Sequence, residues 1–318
     1  MTPDVAMELP LESVACPLCG NTEATPFASG VDYEYGTTGQ TFWFVQCAKC
    51  ALVYLSPRPA PDAVSLIYPP HYYSFTGEEE GRGIVRKLRA LWEERKAQDY
   101  GRLLGPGPRK ILDVGCGRGR FLTLMQRVGP PEWALYGIDL DAGAVAGARE
   151  RGFHATQATI MDYEPEDRFD LIMLQQVIEH VADPRAVLQR LRDLLAPGGV
   201  VVLETPNLAG WDYRLFQKGL WGGYHFPRHW TLFTATTFRR FIEDVGLQVI
   251  EQRSLMSLSF WTWSVHHVCL TRGGSERLVR WLRPPNAVLL AFSVMLEGLQ
   301  LLLGRETSNQ RLVARRPA

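Results

Sequence analysis

Three things are scarce in this chain, and each scarcity narrows what it can be. Net charge is absent: 34 Lys and Arg balance 34 Asp and Glu across 318 residues. No global field draws the protein toward nucleic acid, which weighs against an RNA or DNA substrate. Cysteine is sparse, at 6 residues; four stand in two close pairs, while Cys116 and Cys269 are isolated. That usage fits a reducing cytosol rather than a disulfide framework. Long apolar runs are also missing. Met1 to Leu11 is acidic and has no apolar core, so no signal peptide is expected there. The most apolar stretch, Ala287 to Leu303, is short for a membrane span and holds Glu297. What remains is an ordinary globular composition, 46% apolar, long enough for one large domain and a small module.

The paired cysteines are Cys16-Pro17-Leu18-Cys19 and Cys47-Ala48-Lys49-Cys50. Each C-x-x-C forms a tight turn that aims two thiolates at one point. Two such turns make a tetrahedral sulfur cage suited to zinc. A β-rich run, Phe42 to Val45, precedes the second pair, and Leu52 to Leu55 follows it. The expectation is a zinc ribbon over about residues 12–57, with two disulfides or free thiols as the alternative. Four thiolates leave no position for a catalytic water, so the metal is structural, stabilising a module too small for a full core. Beyond it, Pro57, Pro59, Pro61, Pro69, Pro70, His71, Tyr72 and Tyr73 make either a lid or a surface linker. Ile84 to Leu104 reads as a helix, ended by Gly105-Pro106-Gly107-Pro108.

From Lys110 onward strand and helix signals alternate, as a parallel sheet requires. Lys110 to Val114 is a short buried strand containing Asp113. Gly115, Gly117 and Gly119 then turn the chain into a helix over Arg118 to Val128. Small residues there let a ligand approach the backbone at a helix N-terminus. A second strand, Ala134 to Ile138, leads to Asp139, where a carboxylate can take both hydroxyls of a ribose. The dinucleotide fingerprint G-x-G-x-x-G fails at its last position, which is Arg120. An acid beside the loop repels phosphate and attracts ammonium. S-adenosylmethionine carries an ammonium and a ribose but no phosphate.

These residues carry a resemblance. Ile111-Leu112-Asp113-Val114-Gly115-Cys116-Gly117-Arg118-Gly119 is followed by Tyr136-Gly137-Ile138-Asp139. Phe169-Asp170-Leu171-Ile172 with Val177-Ile178-Glu179-His180-Val181 comes next, and then Leu195-Ala196-Pro197-Gly198-Gly199. In order and spacing they resemble the motifs of class I S-adenosylmethionine-dependent methyltransferases, over residues 110–256. The resemblance implies an α/β fold: a doubly wound, seven-stranded, mostly parallel sheet, its last strand antiparallel, with a small N-terminal zinc ribbon. It divides the chain into the ribbon (12–57), a linker, lid and helix (58–108), and a methyltransferase domain (109–318) with a helical insertion at about 257–306. It also assigns roles. Gly115, Cys116, Gly117 and Gly119 line the methionine part, with Asp113 near its amino group. Asp139 holds the ribose, with Leu140 beside it. Asp162, or the backbone at Thr159 and Ile160, borders the adenine, and Gln175 faces the sulfonium.

A sulfonium is an activated donor, so the protein must align the acceptor, exclude water and remove a proton from a hydroxyl or amine. Three histidines are candidates. His180 follows the fourth strand. His225 and His229 lie in Gly223-Tyr224-His225-Phe226-Pro227-Arg228-His229-Trp230, after the fifth. The segment resembles one that faces the substrate in zinc-bearing methyltransferases, which implies an acceptor or base role. A histidine tied to a loop carbonyl is the plainer alternative. Glu204 and Asn207 are candidates to orient a polar acceptor.

Leu247 to Arg253 and Gln310 to Arg315 read as the last two strands. In the insertion between them, Ser293, Glu297, Gln300 and Gly304 share one helical stripe. Arg277, Arg280 and Arg283 alternate with Leu278, Trp281 and Leu282, a pattern suited to a helix on an anionic bilayer. The expectation is peripheral membrane contact through residues 277–303; a helical cap or a homodimer face is the alternative. Taken together, the sequence predicts S-adenosylmethionine-dependent methylation of a small molecule, in the cytoplasm or at a membrane surface. A sugar, glycan or natural-product intermediate is the expected acceptor. An RNA methyltransferase and a non-catalytic adaptor are the competing readings.

Overall fold

The structure is a computed structural model that describes residues 8–69, 84–257, 259–284 and 286–317, with backbone alone for 84–89. The lid residues Pro70, His71, Tyr72 and Tyr73 lie outside the described residues. The N-terminal region holds β1 (Leu11–Glu12), β2 (Ala24–Gly30), β3 (Phe42–Cys47), β4 (Val53–Leu55) and β5 (Arg58–Pro59). Strand β3 obeys the two-residue period of a pleat: Phe42 and Phe44 are buried, and Trp43 between them is exposed.

The large sheet comprises β6 (Lys110–Val114), β7 (Ala134–Asp139), β8 (His154–Gln157), β9 (Phe169–Gln175) and β10 (Leu195–Pro206). A short β11 (Thr231–Leu232) lies outside it, and β12 (Gln248–Leu255) and β13 (Asn309–Arg315) complete it. Its spatial order is β12-β13-β10-β9-β6-β7-β8. Only β13 runs against its neighbours, pairing antiparallel with both β10 and β12. This is the expected seven-stranded, mostly parallel sheet. The central β9 is buried along most of its length, as a strand covered on both faces must be. Helices fill the crossovers. Pro184–Leu194 shows why: Asp183 caps it by accepting from Ala186 N at 2.9 Å, Pro184 opens it, and Val187, Leu188, Leu191 and Leu194 form its buried stripe.

The ribbon is not a separate bead. Strand β11 pairs antiparallel with β4, Thr231 opposite Tyr54 and Leu232 opposite Val53, so the ribbon sheet reads β11-β4-β3-β2. Cys16, Cys47, Leu52 and Tyr54 share one core with Leu112 and Leu174 of the large sheet and with Phe233, which follows β11. The insertion between β12 and β13 is three helices, Phe260–Thr271, Glu276–Leu282 and Ala287–Leu302.

Candidate active site

The turn after β6 needs its glycines: φ is 76° at Gly115, 53° at Gly117 and 78° at Gly119. Their surroundings differ. A Cβ on Gly115 would lie 2.9 Å from Val177 Cγ2, and one on Gly119 2.8 Å from the Phe153 ring. At Gly117 it would meet nothing within 4 Å. Gly117 is therefore the glycine of the three that fronts open space. Gly119 is taken up by packing. The Cys116 thiol is buried against Gly137, where an added Cβ would come within 2.6 Å of Sγ. It is a core group, which leaves only its backbone for a ligand.

Asp139 anchors this turn. Its Oδ2 accepts from Gly117 N at 2.8 Å and its Oδ1 from Asp141 N at 3.0 Å. The carboxylate stays partly exposed, with lone pairs for further donors. Leu140 next to it is 67% exposed. Gln157 Nε2 donates to Leu140 O at 3.0 Å and Ala158 N to Asp139 O at 3.2 Å, holding the following loop alongside. That loop carries the exposed Met161 and ends in Asp162, whose carboxylate accepts from Thr159 Oγ1. An apolar ledge beside a two-oxygen acceptor suits a nucleoside. Asp113 is buried deeper; burial pushes its carboxyl up to about 7 against the pull of Lys96.

Behind the turn sits a buried charge network. Glu204 accepts from Tyr100 Oη at 2.7 Å, from Arg311 Nε at 2.9 Å and Nη2 at 2.8 Å, and from Lys96 Nζ. Lys96 also donates to Gln175 Oε1. Two expectations are corrected here. Glu204 is saturated by internal cations, and Asn207 is spent on Glu306 Oε2 (2.9 Å) and Thr307 O (3.1 Å). Neither side chain is available to orient an acceptor. Lys96 has one sequence signal, its place on the Trp92, Lys96, Tyr100 stripe of helix Ile84–Gly101.

The three candidate histidines come together. Ring centroids lie 4.6 Å apart for His180 and His229, 5.0 Å for His225 and His229, and 6.2 Å for His180 and His225. The loop is rigidly placed: Trp230 N donates to Glu179 O at 2.7 Å, and His225 sits at φ 44°, a costly conformation for a non-glycine residue. His229 Nδ1 lies 2.8 Å from Gly223 O, and His180 Nδ1 3.1 Å from Arg228 O. A carbonyl only accepts, so His229 Nδ1 carries the hydrogen and its Nε2 keeps the lone pair; at His180 Nδ1 the Tyr68 hydroxyl, a possible donor, also lies at 3.2 Å. Burial lowers both pKa values, that of His180 to about 3 with a contribution from His225. Both are neutral bases at pH 7.

The third histidine differs. His225 Nδ1 lies 2.8 Å from Glu34 Oε2, and both side chains are buried. Glu34 comes from the ribbon, in the segment between β2 and β3. Two residues before it, Asp32 takes both arms of the buried Arg228, at 3.0 and 2.8 Å. Neither acid carries a sequence signal pointing to partners so far along the chain. Burial also pushes Glu179 up to about 8, and its Oε1 has no hydrogen-bond partner among the described residues. Glu179, His180 and His229 offer ligand atoms within 4.8 Å of one another, a set able to hold a divalent cation.

The four ribbon thiols also converge within 4.8 Å. Cys16 and Cys50 sulfurs are 3.4 Å apart and those of Cys19 and Cys47 3.5 Å, and none forms a disulfide. Thiolates at ~2.3 Å from a tetrahedral zinc would stand roughly 3.8 Å apart. The cage fits with a small expansion.

Comparison with known proteins agrees with this geometry. The profile of a methyltransferase domain matches residues 85–252. A ubiquinone biosynthesis O-methyltransferase of Dinoroseobacter shibae is 32% identical over 184 residues, covering 50% of this chain and 70% of the relative. One from a Bradyrhizobium strain is 30% identical over 181 residues, covering 52% and 68%. Among solved structures, a putative sarcosine dimethylglycine methyltransferase of Galdieria sulphuraria aligns with a TM-score of 0.50 at 15% identity, over 80% of this chain and 98% of that one. The [4+2]-cyclase SpnF aligns equally, at 0.50 and 18% identity over 76% and 85%. These two likenesses speak to fold alone. The glycine turn, the acid closing β7 and the sheet order thus meet a sequence match over more than half the chain, and the protein belongs to the methyltransferase-domain family as a class I S-adenosylmethionine-dependent methyltransferase.

Proposed function

We propose that this enzyme methylates a hydroxyl group of a small-molecule acceptor held against the histidine cluster, with His225 as the base. The observation that carries the reading is the His225–Glu34 pair. A carboxylate on Nδ1 fixes the tautomer, makes Nε2 the basic nitrogen of the ring, and offsets the charge that follows proton transfer. S-adenosylmethionine supplies a methyl group already activated by its sulfonium. Asp139 and Gly117 hold its nucleoside and methionine ends, and Leu140 lies under the adenine. His229, its Nδ1 tied to Gly223 O, accepts a hydrogen bond at Nε2 and so orients the hydroxyl without competing for its proton. Zinc in the Cys16, Cys19, Cys47, Cys50 cage keeps the ribbon folded, and the ribbon in turn positions Asp32 and Glu34.

The relatives named for ubiquinone biosynthesis support an oxygen acceptor, and a hydroxylated aromatic of the quinone-precursor class is the first candidate. A product screen with purified enzyme, S-adenosylmethionine, hydroxylated aromatics, sugar nucleotides and RNA tests it by mass spectrometry. Methylated phenolic product, lost in His225→Gln, is expected. Methylation confined to sugars moves the acceptor class, methylation confined to RNA overturns the reading, and failure to bind S-adenosylmethionine in calorimetry leaves a non-catalytic adaptor.

A further inference from the structure

The helix Ala287–Leu302 is built inside out. Its polar residues Ser293, Glu297 and Gln300 are 1%, 0% and 5% exposed, whereas Phe292, Met295, Leu299 and Leu302 are 49%, 60%, 53% and 86% exposed. Defined bonds hold this rotation. Glu297 accepts from Ser257 N at 2.6 Å, from Trp261 Nε1 at 3.1 Å and from the Ser308 hydroxyl. Asn286 caps the helix by accepting from Val288 N and Leu289 N. The apolar face is therefore presented outward by the hydrogen bonding beneath it. Leu278 and Trp281 of the preceding helix, 45% and 55% exposed, extend the apolar surface. An exposed surface of this kind marks an interaction site.

Charge says with what. Arg272, Arg277, Arg280, Arg283 and Arg305 are all exposed along this segment, against two exposed acids, Glu276 and Glu306. We propose that residues 276–303 dock the enzyme on an anionic lipid bilayer, the apolar face entering the acyl boundary and the guanidinium groups meeting lipid phosphates. The exposed Trp281, next in sequence to Arg280 and two residues from Arg283, supplies an amphipathic ring of the kind most stable at a membrane interface. A second copy is a poorer occupant, because a two-fold interface through this face would set the same arginines against each other.

The face is joined to the site. Helix Phe260–Thr271 packs on Gly222–Tyr224, with Gly222 N donating to Ser264 Oγ at 2.8 Å, and His225 follows directly. Resting on the reading above, docking would deliver the acceptor from the membrane to the histidine loop.

Flotation of the full chain with vesicles tests the docking. Phosphatidylcholine vesicles with and without phosphatidylglycerol are compared, at low and high salt. The expected result is partition onto the anionic vesicles that weakens with salt. R277Q/R280Q/R283Q should lower it by on the order of 100-fold, and F292D/L299D comparably, with S-adenosylmethionine binding unchanged. No partition of the wild type onto anionic vesicles at low salt overturns the proposal. So does a stable wild-type dimer in light scattering that F292D/L299D dissolves. Failure of the wild type to bind S-adenosylmethionine would sink the methyltransfer reading alone and leave the flotation result standing.

Discussion

Arg228 holds Asp32 through a two-pronged ion pair that spans 196 residues of sequence, and neither side chain reaches solvent. The pair clamps the ribbon to the histidine loop. Burial pushes the Asp32 carboxyl up, but the bonds and charge of Arg228, with donors from Thr37, prevail and hold it at about 2. An unfolded aspartate titrates near 3.8, so this stabilisation is complete above that value and is lost as pH falls toward 2. Asp32→Asn should cost about 3–5 kcal/mol at pH 7, since it leaves a buried guanidinium unpaired. Urea unfolding at pH 7 and pH 3 reads both effects, and the deficit should shrink at the lower pH.

Asp139 tests the cofactor side. Asp139→Asn keeps one oxygen for Gly117 N, gives up the acceptor of Asp141 N, and removes the charge that the proposed reading sets against the ribose. S-adenosylmethionine affinity should fall roughly 10- to 100-fold, the value of hydrogen bonds to an ionised group. Isothermal calorimetry measures it; unchanged affinity would move the nucleoside elsewhere.

Glu34 and His225 test the chemistry. His225→Gln should lower kcat by about 10²- to 10⁴-fold with little change in cofactor affinity. Glu34→Gln should lower it less, because the imidazolium formed when His225 takes the proton would lack its counter-charge. Equal cofactor binding in all three proteins separates this outcome from misfolding.

Zinc should matter to activity from a distance. Cys47→Ser is expected to release the metal, lower the melting temperature and abolish turnover, since Glu34 and Asp32 depend on the ribbon. Metal analysis and a thermal melt check the first two. Full activity in a metal-free variant would disconnect the modules.

Glu297 offers a pH signature. Burial, helped by the Asp212 charge, raises its carboxyl from 4.5 to about 8. The folded state thus holds a proton that the unfolded chain releases, and its stabilisation is present below 4.5 and lost as pH rises through 8. Glu297→Gln keeps the neutral shape and should flatten the decline in melting temperature between pH 5 and pH 9 by several degrees.

The sheet was legible because its signals are local: each glycine turn, strand and closing acid lies within a few residues of its neighbours. The histidine cluster was legible only as three candidates, and the thiol cage as two pairs. What could not be read was long-range. Nothing near Asp32 or Glu34 announces Arg228 or His225, and nothing near Glu204 shows that Lys96, Tyr100 and Arg311 will saturate it. The stripe of Ser293, Glu297 and Gln300 was visible as a period, but a period does not tell which side faces inward. Ser257, Trp261 and Ser308 decide that, from two other segments.

The pairing of β11 with β4 bears on how the chain is made. A ribosome releasing about 5–20 residues per second would leave that strand edge open for on the order of ten seconds or more before Leu232 emerges. On the proposal that the four thiols hold zinc, metal capture can begin early in synthesis, while the last strand of the ribbon sheet is still untranslated. An N-terminal fragment should therefore load zinc and yet remain prone to edge-to-edge association until the rest of the polypeptide arrives.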